Sequence, residues 1–86
     1  MPRALTFQRT VVTPSERKKY FERLRARRAY YTGVSCRFWV FEEVGLAGAF
    51  IEFIEANEPD VLSAALGGAP DQVVEAARIY REVELD

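Results

Sequence analysis

The sequence predicts an α+β domain: a four-stranded antiparallel sheet with two helices on one face. Period-two alternation marks strands over residues 3–12, 35–43, 49–55 and 78–85. Stretches with capping residues and an early proline, after Thr13 and after Asn57, mark two helices. The order is therefore strand, helix, strand, strand, helix, strand, a split β-α-β unit used twice. Eighty-six residues, 49% of them hydrophobic, make one domain spanning 1–86 with enough apolar content for a core.

In the first strand Leu5, Phe7 and Val11 alternate with Thr6, Gln8, Thr10 and Val12, and Arg9 interrupts the apolar side. Thr13-Pro14-Ser15-Glu16 then has the form of a capping box, in which Thr13 caps the amide of residue 16 and Glu16 reaches back. The helix it opens runs to about Tyr31 on a stripe of Tyr20, Phe21, Leu24 and Tyr31, with Arg17, Arg27 and Arg28 at its margins. Gly33 is the expected stop, because glycine enters the left-handed region without strain.

Ser35–Glu55 is the hairpin around which the rest is arranged, and it holds most of the bulky aromatics. Its connector, VGLAG, is longer than a two-residue turn, so either of two registers is open, both placing Trp39 directly or diagonally across from Glu52. The second helix covers roughly 58–66, with Val61, Leu62, Ala65 and Leu66 inward and Gly67-Gly68 at its end. Pro70–Ala77 is expected to form a short helical turn. Arg78–Leu85 reads as the last strand, with a continuous helix over 71–84 as the competing assignment.

Alternation gives each sheet face a content. The helix-covered face is expected to hold Leu5, Phe7, Val11, Cys36, Phe38, Val40, Ala49, Ile51, Phe53, Ile79 and Val83. The opposite face would then show Gln8, Thr10, Arg37, Trp39, Phe41, Phe50, Glu52, Ile54, Tyr80 and Glu82. Two helices cover one face only, and the other is too apolar to face water alone. A second copy packed sheet to sheet is the expected partner.

Composition removes several chemistries. Histidine is absent, which excludes imidazole bases, Ser-His or Cys-His nucleophile pairs and histidine-held zinc or haem. The lone Cys36 has no disulfide partner within the chain and lies on an aliphatic face, so it reads as a small buried hydrophobe in a reducing, cytoplasmic setting. No apolar run is long enough to suggest a membrane span or a signal-peptide core. Residues 1–37 hold ten Lys/Arg against two Glu, and residues 38–86 hold two Arg against eleven Asp/Glu. Opposed halves of this kind are expected to pair within the domain or with a second copy.

The capped helix TPSERKKYFERL, the hairpin CRFWVFEEVGLAGAFIEFIEA, the helix PDVLSAAL and the terminal YREVEL together resemble the dimeric α/β-barrel superfamily, the group of antibiotic-biosynthesis-monooxygenase-like proteins. The resemblance spans nearly the whole chain and is one of layout. It implies a ferredoxin-like βαββαβ fold, two protomers closing their sheets into a barrel, and a ligand between sheet and helices or within the barrel. It also implies a possible activity: cofactor-independent oxygenation of a small aromatic or quinol-like molecule, with no cofactor required. Haem-degrading relatives use a histidine together with asparagine and tryptophan, and this chain has no histidine.

The barrel-side residues Gln8, Arg37, Trp39, Phe50, Glu52, Tyr80 and Glu82 form the candidate cavity. A carboxylate there would act as base, Arg37 would hold an anionic oxygen, and Trp39 and Phe50 would stack on a flat ring. The alternatives are a non-catalytic module that binds a small apolar or aromatic ligand or another protein, and an RNA-recognition-like binder. LAGAFIEFIEA partly resembles the third-strand octamer of RNA-recognition motifs, but Leu46 and Gly48 stand where a basic and a stacking residue belong. Glu52, Glu82 and Glu84 give that face the wrong sign for phosphates.

Overall fold

The computed structural model describes residues 2–69 and 78–85. In chain order it contains β1 (Ala4–Val11), a 3-10 turn (Pro14–Glu16), α1 (Arg17–Gly33), β2 (Arg37–Glu42), β3 (Ala49–Ala56), α2 (Pro59–Gly67) and β4 (Tyr80–Arg81). The strands form one antiparallel sheet in the order β2-β3-β1-β4, the ferredoxin-like arrangement, with both helices on one face.

The turn before α1 is built as the Thr-Pro-Ser-Glu stretch predicts, with a different set of bonds. The Glu16 N–H donates to the Thr13 carbonyl at 3.0 Å, and the Thr13 hydroxyl donates to the Glu16 carboxylate at 3.2 Å, so no side chain caps a free amide. At the other end Gly33 remains helical, and Ser35 takes the left-handed conformation instead, at φ 65°. The Cys36 N–H bonds back to the Tyr31 carbonyl at 2.9 Å and turns the chain into β2. The expected glycine stop is thus displaced by two residues onto a serine.

The hairpin connector is fixed by Gly48, at φ 91°. Its N–H donates to the Glu42 carboxylate at 2.9 Å and its carbonyl accepts from Val12 N–H at 2.8 Å. A Cβ on Gly48 would stand 2.5 Å from the Val12 carbonyl oxygen, so both the backbone angle and the close approach require glycine.

Two packed groups fill the space between sheet and helices. Ala4, Tyr31, Cys36, Ala56, Leu62 and Ala65 join α2 and the end of α1 to the sheet; Val12, Tyr20, Leu24 and Phe50 lie beneath the first half of α1. Phe38 packs against both groups, its ring stacked on Tyr31 at 5.9 Å. The Tyr30 hydroxyl donates to the Ala65 carbonyl at 2.7 Å and ties α1 to α2. Cys36 is buried, and burial pushes its thiol up from the ordinary range, as suits a packing residue.

The register corrects the expected faces. Phe7 pairs with Phe53 and Gln8 with Glu52, while Trp39 pairs with Phe53 and Val40 with Glu52. Cys36, Phe38 and Val40 face the helices as expected, but so do Thr6, Gln8, Thr10, Phe50, Glu52 and Ile54. Leu5, Phe7, Val11, Ala49, Ile51 and Phe53 occupy the open face beside Trp39, Phe41 and Tyr80. The assignment is reversed for β1 and β3 and correct for β2, and Tyr80 of β4 lies on the open face as expected. Trp39 accordingly lies on the opposite face from Glu52. The physical reason is that α1 supplies polar partners for Glu52, so a carboxylate goes beneath the helix and a phenylalanine goes outside.

The last strand is short. β4 pairs only Tyr80–Arg81 with Leu5–Ala4, followed by one further bond from Glu82 N–H to the Arg3 carbonyl. Ile79 and Val83, expected under the helices, are exposed, Val83 at 74%, and Leu85 beyond them is 89% exposed. The expected helical turn over 70–77 lies outside the described residues, as does the first half of the competing helix over 71–84, whose described half, 78–84, is not helical.

Candidate functional site

The seven candidate residues do not converge. Gln8, Phe50 and Glu52 face the helices, whereas Arg37, Trp39, Tyr80 and Glu82 belong to the open face. Two distinct settings result, and they do different things.

On the helix side, Glu52 is 3% exposed. It accepts a hydrogen bond from the Tyr20 hydroxyl at 2.7 Å and one from Arg27 at 2.5 Å, both from α1. Tyr20 and Arg27 are seven apart, two turns along one face of α1, so one helix delivers both donors to one carboxylate. Burial, and then the bond to Glu52, hold the Tyr20 hydroxyl well above the ordinary phenol range. The Tyr20 ring packs on Phe50 at 5.0 Å, which Phe21 meets edge-on and the Arg17 guanidinium covers at 5.3 Å. Phe50 is core, and Gln8 stands beside Glu52 across the strands with its side chain exposed. A charge-assisted, enclosed network of this kind holds α1 to β3 and leaves the carboxylate no open side toward a substrate.

The open face is organised in cross-strand rows. One row is Arg37, Glu55, Leu5 and Tyr80; the next is Trp39, Phe53 and Phe7; the third is Phe41, Ile51 and Arg9. The rings touch. Phe53 meets Phe7 at 5.9 Å and Phe41 at 6.0 Å, and Phe7 stacks on Tyr80 at 5.5 Å with 17° between planes. Phe7, Trp39, Phe41 and Tyr80 are each about half exposed, at 47%, 47%, 56% and 45%. Taking about 4.8 Å per strand and about 3.4 Å per residue, over six residues of β1–β3 and the two of β4, the face measures roughly 330 Å², the size at which an apolar patch on a monomer tends to be functional.

Ion pairs close this face at both ends. Glu55, buried although on the open side, lies between Arg37 at 2.6 Å and Arg3 at 3.1 Å. Arg37 also donates to the Asn57 side chain at 3.0 Å, and Arg3 to Glu82 at 3.0 Å. At the far end Arg9 pairs with Glu43 at 3.0 Å. Arg37 and Glu82, expected to serve a ligand, are thus engaged with neighbours, while Trp39 and Tyr80 present free ring surface. These pairs, with Arg17–Glu42 and Arg27–Glu52, each join a base of residues 1–37 to an acid of residues 38–86. Among the described residues, part of the opposed charge of the two halves is paired inside the domain.

Sequence reasoning missed Phe7 and Phe53 as members of the open face, although they supply its centre. The alternation of β3 is equally apolar on both sides, Phe50/Ile54 against Ile51/Phe53, so the available signal was the pair of donors on α1 seeking an acid.

The whole chain aligns with 97% of the structure of Rv0793 from Mycobacterium tuberculosis at a TM-score of 0.68 and 16% identity. At that identity the likeness establishes the fold: a ferredoxin-like α+β domain. No protein-family model matches the chain, and no curated protein matches it. Among the described residues, no helix is long and apolar enough to cross a membrane.

Proposed function

We propose that this chain is a homodimeric binding module whose two open sheet faces oppose one another, with Trp39 and its neighbouring rings forming both the contact and a wall for a small, flat, apolar ligand. The observation that carries the reading is the run of touching rings from Tyr80 through Phe7 and Phe53 to Phe41, with Tyr80, Phe7 and Phe41 about half exposed. Aromatic side chains dominate interface energetics, and offset or tilted rings accept a further ring readily. Salt-bridged ends leave the centre of the face apolar, as in a typical interface with a polar rim.

A monooxygenase-like activity on a small aromatic or quinol-like molecule is the finer reading. Trp39 and Tyr80 would stack on the substrate. It has lost its base, because Glu52 is enclosed under α1 by Tyr20 and Arg27. Binding without turnover therefore fits the geometry better.

Trp39 is the sole tryptophan and serves as the probe. Titrating 1-naphthol while following tryptophan emission should quench it saturably, with Phe41→Ala weakening the effect severalfold. Linear, non-saturating quenching that Phe41→Ala leaves unchanged would contradict a ligand at this face.

A further inference from the structure

A second concave surface lies away from the open face, where the outer flank of α1 overhangs β2, an edge strand of the sheet. It encloses about 270 Å³ and is lined by Phe21, Leu24, Arg25, Arg28, Phe38 and Val40. We propose that this cleft binds a small monocarboxylate with an apolar body, its chain on Phe21, Leu24, Phe38 and Val40 and its carboxylate on Arg25 and Arg28.

Three observations carry the assignment. The floor is apolar and only partly covered: Leu24 is buried, and Phe21, Phe38 and Val40 are half-buried. Arg25 and Arg28 are three apart on α1, so their guanidinium groups rise from one side of the helix over that floor. Neither has an acid partner among the described residues. The other arginines of α1 are engaged: Arg17 with Glu42, Arg27 with Glu52, and Arg23 over the Tyr20 ring at 5.8 Å. Glu22, one turn before Arg25, forms no ion pair among the described residues. Two guanidinium groups beside an apolar floor fit a carboxylate head joined to a hydrocarbon chain, since the fork geometry suits two-oxygen recognition. A volume of 270 Å³ is at the low end for ligand pockets, which selects a short chain or a single ring.

The inference does not depend on the sheet-face reading. Titration of the isotopically labelled protein with octanoate, followed by amide chemical shifts, should move residues 21–28 and 38–40 saturably and leave 7 and 53 in place. 1-Octanol should bind at least tenfold more weakly, as should octanoate to the Arg25→Gln/Arg28→Gln variant. The Arg25→Lys/Arg28→Lys variant, which keeps the charge but not the planar fork, should bind more weakly than the parent and more tightly than the glutamine variant. Equal binding of octanol, an unchanged affinity in the glutamine variant, or shifts centred on residues 7, 39 and 53 would overturn the proposal. So would the same 21–28 shifts on simple dilution of ligand-free protein, since they would place a second copy in the cleft.

Discussion

Replacing Tyr20 by phenylalanine keeps the ring that packs on Phe50 and removes only the hydroxyl that donates to Glu52 at 2.7 Å. A hydrogen bond to a charged group contributes about 1.5–3 kcal/mol net. The ring is 2% exposed, so water cannot readily replace the lost donor, and the upper part of that range is expected. For a domain of this length each kcal/mol lowers Tm by roughly 4–8 °C, so Tyr20→Phe should melt on the order of 10 °C below the parent. Glu52→Gln should cost at least as much as Tyr20→Phe, because it removes the charge that strengthens the bonds from both Tyr20 and Arg27. Urea unfolding by circular dichroism, at one fixed protomer concentration, measures both changes, and the double variant gives their coupling. A Tyr20→Phe change below about 0.5 kcal/mol would refute the reasoning, being what a surface substitution away from any such contact gives. A Glu52→Gln protein of parental stability that had lost ligand chemistry would equally refute it, restoring Glu52 as a site residue.

Gly48→Ala should destabilise by about 1–3 kcal/mol, through the left-handed backbone and the Val12 carbonyl 2.5 Å from the new Cβ. Gly33→Ala, in helical conformation with open space around it, should instead stabilise by about 0.5–1 kcal/mol; thermal melts of the two decide both. Hydrogen bonds from Arg17 and the Gly48 N–H hold Glu42 below the ordinary carboxylate range, and a hydrogen bond from Arg3 does the same for Glu82. Their stabilisation is therefore whole above about pH 4.3 and is lost as pH falls through their lower folded values. Arg17→Gln should move the acid-unfolding midpoint upward. Tyr20 has the opposite sign: its raised value makes its contribution whole below about pH 10 and lost as pH rises further, which absorbance at 295 nm follows as a late-ionising phenol.

The order of elements was legible because caps, prolines and alternation are local signals. Thr13-Pro14 and Glu58-Pro59 mark the helix starts, and the stripe of Tyr20, Leu24 and Tyr31 is buried as its spacing requires. The faces of β1 and β3 were not legible. Shifting a register by one residue inverts a strand's side chains, and β3 offers nearly equal apolar content either way. What decides is tertiary: Tyr20 and Arg27 on α1 reach Glu52, and small or polar Ala4 and Thr6 lie beneath the helices while Phe7 is left outside. The candidate site divided for the same reason. Arg37 and Trp39 were placed by the correctly assigned β2 and Tyr80 lies on the open face as expected, whereas Gln8, Phe50 and Glu52 followed the inverted strands. The open face stays aromatic through the inversion, because Phe7 and Phe53 replace Phe50 and Ile54 there.

The central claim is that the open face closes against a second copy. Light scattering across a dilution series, with Trp39 emission recorded on the same samples, tests it directly. The account predicts the mass of two chains at high concentration, blue-shifted emission that moves to the red as dimers dissociate, and a markedly weaker dimer for Phe41→Asp. A mass of one chain throughout, with Trp39 emission unchanged by concentration, would contradict it.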